Sequence, residues 1–291
     1  MQKEKILKAG KIAKEVREWI IPQIKKGVLL LEIAEKIEAK IIELGGRPSF
    51  PTNLSMDNIA AHYTPLFGDE TLAQGLLKVD FGVHVDGWLS DTAFSLDLEN
   101  SEENKRLIET SKKALKNAIK KFEEGVSTSE VGKVVQETIE AEGFSPIVNL
   151  SGHEMKEYEL HAGLTIPNID DNKKIILKKG LYAIEPFATN GNGKVHDGKS
   201  SGIYVLVDSK NVRSTIAREV LDFIMDEYQT LPFCSRWVVK IFGNKSLLGL
   251  KQLEENGNLH QFSQLVEISG SKVSQAEHTI LLDKEKIVTT E

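Results

Sequence analysis

Residues 27–48, GVLLLEIAEKIEAKIIELGGRP, align without a gap on residues 125–146, GVSTSEVGKVVQETIEAEGFSP. Glu32 meets Glu130, Ile33 meets Val131, Ile41 meets Ile139, Gly45 meets Gly143 and Pro48 meets Pro146. In both copies apolar residues recur at helical spacing. Glycine and then proline end each pattern, because a helix closes readily on a left-handed residue and proline cannot continue it. The second copy also opens on a capping box, Ser127 with Glu130. Coincident helix ends over so long a stretch indicate an internal duplication.

Working outward, the same order of elements flanks each copy. Ile6, Ile12, Val16 and Ile20 mark a helix ending before Pro22, and Leu107, Ile108, Leu115, Ile119 and Phe122 mark its counterpart. VDFGVHV and WLSDTAFSL flank Asp86-Gly87, a strong hairpin signal. NIAAH ending at His62 resembles NLSGH ending at His153, GLLKVD ending at Asp80 resembles GLYAIE ending at Glu185, and DTAFSL from Asp91 resembles EHTILL from Glu277. The offset lengthens sharply before the last pair, which localises an insertion of about 80 residues between Glu185 and Glu277. Within it, Val220, Leu221, Ile224 and Tyr228 mark a helix, while TLPFCSRWVVKIF, SLLGLKQLEENG and HQFSQLVEI read as helix, helix and strand. The expectation is a pseudo-twofold α/β body formed by residues 1–203 and 267–291, with a small helical, winged-helix-like subdomain inserted at 204–266.

Composition narrows the function. The 291 residues, 40% hydrophobic and 27% charged, suit a globular protein with one large core and a small appended module. No apolar run approaches the roughly 20 residues of a membrane span, and the start is a charged helical pattern rather than a secretion signal, so a cytoplasmic protein is expected. The single cysteine, Cys234, excludes a disulfide framework and a cysteine-rich zinc site, and its apolar setting reads as a buried structural thiol. A net charge of −6 argues against nucleic acid as the main partner.

The candidate site is acidic. In a hairpin turning at Asp86-Gly87, Asp80 lies opposite Ala93, and Asp91 sits two residues from Ala93 on the same face. Two carboxylates sharing one space repel unless a cation lies between them. The duplication brings Glu185 and Glu277 to the same axis, and His153 adds a nitrogen. An isolated strand aspartate is usually a solvated surface group and a lone histidine usually structural, but here apolar contexts and the repeat support the set together. Four carboxylates and one imidazole match two divalent ions by charge. Such ions, about 3.5–4 Å apart, activate water and polarise a carbonyl. His62 and His161, from segments converging on the same place, can hydrogen-bond a scissile carbonyl or oxyanion. His84, His196, His260 and His278 read as structural or exposed.

FPTNLSMDNIAAHYTP, KVDFGVHVDGWLSDTAF, NLSGHEM, LHAGLTIP, YAIEPFATNGNG, TLPFCSRW and QAEHTILL, in this order, resemble the segments of the type-2 methionine aminopeptidases, metallopeptidases of the pita-bread fold. The resemblance covers nearly the whole chain. It implies that Asp80, Asp91, His153, Glu185 and Glu277 hold two divalent ions (Co, Mn, Fe or Zn), with Asp91 and Glu277 bridging. Glu185 would also serve as general base, and His62 and His161 would contact the substrate amide and carbonyl. Phe50, Leu160, Ile203 and Phe262 would form the methionine pocket. The implied reaction removes the initiator methionine from nascent proteins, by metal-activated water, when the next residue is small. The absence of a long basic N-terminal extension points to the compact archaeal form. A monomer is expected, with the nascent chain as partner and the ribosome as a further candidate. An Xaa-Pro aminopeptidase or prolidase would share the five ligands but carry a separate N-terminal domain and lack the insertion. A non-catalytic binding protein on this fold would have lost ligands.

Overall fold

A computed structural model describes residues 1–291. Helix α1 (Lys3–Ile20) buries Ile6, Ala9, Ile12, Ala13, Val16 and Ile20 on one stripe, and a 3₁₀ turn at Ile21–Gln23 ends it where Pro22 removes a donor. Helix α2 (Leu30–Glu43) packs with it against a sheet whose centre is the hairpin of strands Leu76–Val85 and Trp88–Asp97. Helices α3 (Glu102–Lys121) and α4 (Thr128–Ala141) pack in the same way on a second sheet, in which strands Gly180–Ile184 and His278–Leu282 are central.

The duplication extends to individual hydrogen bonds. Gly27 N–H donates to the Ala73 carbonyl (2.8 Å) as Gly125 N–H does to Leu177 (3.1 Å), and Leu30 N–H reaches Thr71 as Thr128 N–H reaches Ile175, both at 2.9 Å. Gly45 and Gly143, just beyond the two helices, adopt φ of 80° and 82°, a region that disfavours a side chain. The capping box at Ser127 and Glu130 is present, while α2 starts without a side-chain cap.

Strand register corrects the symmetry read from sequence likeness. Asp80 lies opposite Ala93 in the first hairpin, and Ala93 bridges to Glu277 across the seam between the sheets. Carried one residue past the His278–Ile184 pair, the second sheet's register sets Glu277 opposite Glu185. Equivalent residues face each other on a twofold axis, so the counterpart of Glu277 is Ala93, not Asp91, and that of Asp91 is Gln275. Likewise His153 pairs with Ala183 as Ser55 pairs with Lys78, which makes Ser55, and not His62, the counterpart of His153. Only Asp80 and Glu185 form a symmetric pair of acids.

Strands Val195–Leu206 and Leu259–Glu267 pair antiparallel along their lengths, and the chain between them forms helices α5 (Thr215–Glu227), α6 (Ser235–Phe242) and α7 (Ser246–Glu255). These helices enclose their own cluster, which includes Val220, Ile224, Phe233, Val238 and Leu253. TLPFC is not helical as expected. Phe233–Cys234 is a two-residue strand that places Cys234 opposite Ile203, and α6 begins only at Ser235. Arg236 fastens this segment to the body: fully buried, it donates twice to the Glu38 carboxylate at 2.8 Å and once to the Pro65 carbonyl at 3.0 Å. Trp237 Nε1 and Thr52 N–H complete the shell of Glu38. Cys234 is buried, and burial pushes its thiol up to about 12, as suits a structural residue. No helix is long and apolar enough to cross a membrane.

Candidate metal centre

The site lies on the seam. Glu277 N–H donates to the Ala93 carbonyl (2.9 Å), Thr279 Oγ1 accepts from Asp91 N–H (2.6 Å) and donates to the Asp91 carbonyl (2.8 Å), and Thr92 Oγ1 donates to the Glu277 carbonyl (3.1 Å). These bonds lock the backbones that carry two of the acids. Strand alternation sends Asp80 and Asp91 to one face of their hairpin. His153 approaches from strand Ser151–Met155, with Nε2 3.6 Å from Asp91 Oδ2 and 3.8 Å from Glu185 Oε1. Glu185 follows the end of strand Gly180–Ile184, ahead of Pro186.

The electrostatics call for a cation. Burial, followed by repulsion from its neighbours, raises each of Asp80, Glu185 and Glu277 well above the usual carboxylate range. Burial also raises Asp91, to about 7, and lowers His153 to about 4, so the imidazole is neutral with a lone pair to offer. Asp80 Oδ1, Asp91 Oδ1 and both Glu277 oxygens are buried without a hydrogen-bond partner, a costly condition that a bound cation would relieve. Ligand atoms of Asp91, His153 and Glu277 all lie within 4.8 Å of one another. An oxygen-rich donor set with one imidazole fits a divalent transition metal.

All eleven residues singled out from the sequence line one cavity of about 340 Å³: the five above together with His62, His161, Phe50, Leu160, Ile203 and Phe262. His62 has φ 65°, rare for a residue with a side chain, and its Nδ1 lies 3.1 Å from the Ser263 carbonyl. A carbonyl can only accept, so Nδ1 carries the proton. Burial also holds His62 below the ordinary imidazole value, which leaves Nε2 as an acceptor. His161 stands edge-on to His153 at 4.5 Å; although exposed, it is partly desolvated by the surrounding walls and neighboured by His153 and His62, which lower it below the ordinary imidazole value. The four histidines set aside in the sequence lie outside the cavity: His84 accepts from Gly87 N–H, His278 contacts Thr290, and His196 and His260 are exposed.

Residues of the site not singled out from the sequence include Gln275 and Pro232. Gln275 Nε2 donates to Asp80 Oδ2 (3.2 Å) and to Glu185 Oε2 (3.3 Å), tying together acids from the two halves. Strand register makes it the counterpart of Asp91, an equivalence that emerges only once the two sheets are paired across the seam. Pro232, which also lines the cavity, had no sequence signal, because it lies just ahead of the short strand Phe233–Cys234, within a segment whose pattern reads as helix.

Duplicated halves, a seam of acids and a single imidazole describe a metal-dependent hydrolase, and the chain belongs to metallopeptidase family M24, which matches residues 4–219. Its architecture is the pita-bread fold of that family. Over its full length the chain is 46% identical to the methionine aminopeptidase of Pyrococcus horikoshii, in an alignment that covers 100% of both proteins. Among solved structures, a thermophilic Arx1 superposes with a TM-score of 0.84 at 14% identity, covering 98% of this chain and 90% of that one. The methionine aminopeptidase of Thermotoga maritima gives 0.71 at 22% identity, covering 99% and 96%. At these identities the two superpositions speak for the fold alone.

Proposed function

We propose that the chain is a methionine aminopeptidase that removes the initiator methionine from nascent proteins when the second residue is small. The observation that carries this reading is the cluster of unpartnered buried oxygens on Asp80, Asp91 and Glu277, set in one cavity with His153, Glu185 and an apolar wall. In this reading Asp80, Asp91, His153, Glu185 and Glu277 would hold two divalent ions, drawn from Co, Mn, Fe and Zn. Such ions lower the pKa of a water and polarise a carbonyl.

The protein's own groups do the rest. Glu185 takes a proton from water and returns it to the leaving amine. His62 Nε2, left as an acceptor by the Nδ1–Ser263 contact, suits the substrate amide N–H. That leaves His161 to donate to the carbonyl oxygen. Phe50, Leu160, Ile203 and Phe262 receive the methionine side chain, and Pro232 narrows their pocket. Residues 204–266 act as a subdomain that supplies one wall of this pocket and stands on Arg236. The setting is the cytoplasm, the enzyme is a monomer, and the nascent chain at the ribosome is its partner.

The test is turnover of Met-Gly-Met by metal-reconstituted protein, beside Met-Pro and Ala-Pro peptides. Methionine release from the first, lost in Asp80→Ala and in Glu277→Ala with folding intact, is the expected result. Full activity in either variant would overturn the ligand assignment, and preferred cleavage of Ala-Pro would make the chain an Xaa-Pro peptidase instead.

A further inference from the structure

The loop that carries Leu160 and His161 leaves its strand at Met155 and returns at Thr165. Its base is closed by Glu154 N–H to the Leu164 carbonyl and Ala162 N–H to the Glu154 carbonyl, both at 2.8 Å. Its tip is a tight turn in which Lys156 and Glu159 exchange backbone hydrogen bonds at 2.9 and 3.0 Å. Neither closure says where the tip must point. Within that turn Tyr158 sits at φ 56° and is not among the residues that line the cavity.

Two separate parts of the chain, the hairpin turn carrying His84 and Gly87 and the segment at Thr230, converge on Tyr158. Its N–H donates to the Gly87 carbonyl at 2.8 Å, and its carbonyl accepts from Thr230 Oγ1, at the end of the loop following α5. Its ring lies 5.8 Å from that of His84, whose Nδ1 accepts from Gly87 N–H at 3.2 Å. The ring covers Gly87 so closely that a Cβ there would come within 2.2 Å of its carbons. Beside Thr230, Leu231 packs in one cluster with Leu160, Phe50, Trp88 and Met155, and Pro232 reaches the cavity wall.

We propose that Tyr158 is a positioning residue: clamped between the Gly87 turn and Thr230 of the inserted segment, it sets the placement of Leu160 and His161 in the substrate cavity. The inserted segment thereby acts on the site through a contact that touches neither substrate nor metal. The inference rests on the aminopeptidase reading for its kinetic arm only.

Two variants test it. Gly87→Ala drives a methyl into the Tyr158 ring, and Thr230→Val removes one hydrogen bond at an exposed position where folding is not at stake. By hydrogen-exchange mass spectrometry, exchange in residues 156–164 should rise about tenfold in both variants while strand Gly180–Ile184 is unchanged. In turnover of Met-Gly-Met, Gly87→Ala should lower kcat about tenfold in the wild-type background but less than twofold in a His161→Ala background, with metal affinity by calorimetry unaltered. Unchanged exchange in Thr230→Val, or equal kcat losses in the two backgrounds, would overturn the clamp. If the wild-type protein releases no methionine, the aminopeptidase reading fails and the exchange measurement still decides the clamp.

Discussion

Removing divalent metal should make the stability of this protein strongly pH-dependent, in a direction opposite to that of an ordinary salt-bridged carboxylate. Asp91 is 3% exposed, and burial lifts its carboxyl from 3.8 to about 7. A raised folded-state value means that the native, metal-free protein binds the proton more tightly than the unfolded chain does. The charged carboxylate therefore costs nothing below the unfolded value near pH 4, and its full cost is reached above about pH 7. At about 1.4 kcal/mol per pKa unit that cost is roughly 4 kcal/mol for this one group. With an unfolding entropy of about 0.6 kcal/mol/K for a chain of this length, the melting temperature should fall by about 7 °C. Bound metal replaces the missing proton, so the metal-loaded protein escapes the penalty. The assay is differential scanning calorimetry of chelated and metal-loaded protein between pH 5 and 8. The gap in Tm should widen as pH rises; a gap that is constant, or that narrows, would refute the view that mutual repulsion and burial in this cluster await a cation.

Arg236→Met leaves the buried Glu38 carboxylate without its cation and should cost about 3–5 kcal/mol, seen in urea melts, whereas adding Glu38→Leu should recover most of the loss. No recovery in the double variant would show that Arg236 acts through the Pro65 contact instead. Gln275→Ala frees the outer oxygens of Asp80 and Glu185 and should weaken metal binding about 10–100-fold by calorimetry while turnover at saturating metal persists. An unchanged Kd would reduce Gln275 to packing.

Local features of the fold were legible in the sequence because local chemistry causes them. The glycines at 45 and 143 stop their helices by backbone geometry, Ser127 and Glu130 cap by mutual hydrogen bonds, and Asp86-Gly87 fixes a turn whose register brings Asp80 and Asp91 to one face. What failed was the matching of residues across the seam. Likeness of letters aligned Asp91 with Glu277, but the axis lies at the Ala93–Glu277 bridge, and only strand pairing reveals that. Divergence has erased the signal, since an alanine and a glutamate now occupy equivalent places. Phe233–Cys234 was misread for a related reason: its extended form is imposed by Ile203, distant in sequence, against a helical pattern that starts two residues later. Gln275 and Tyr158 act through partners in other parts of the chain, so no local pattern marks them.

The seam has one more implication. Asp80 and Asp91 belong to the first half, while His153, Glu185 and Glu277 belong to the second, so neither half alone owns a complete donor set. In the proposed assignment, each ion would be a rivet through two plates. Any motion that parts the halves must first surrender the metal, and any chelator that takes the metal loosens the halves. Loss of catalytic competence and the first step of unfolding would then be one event, and metal retention would report whether the molecule is closed.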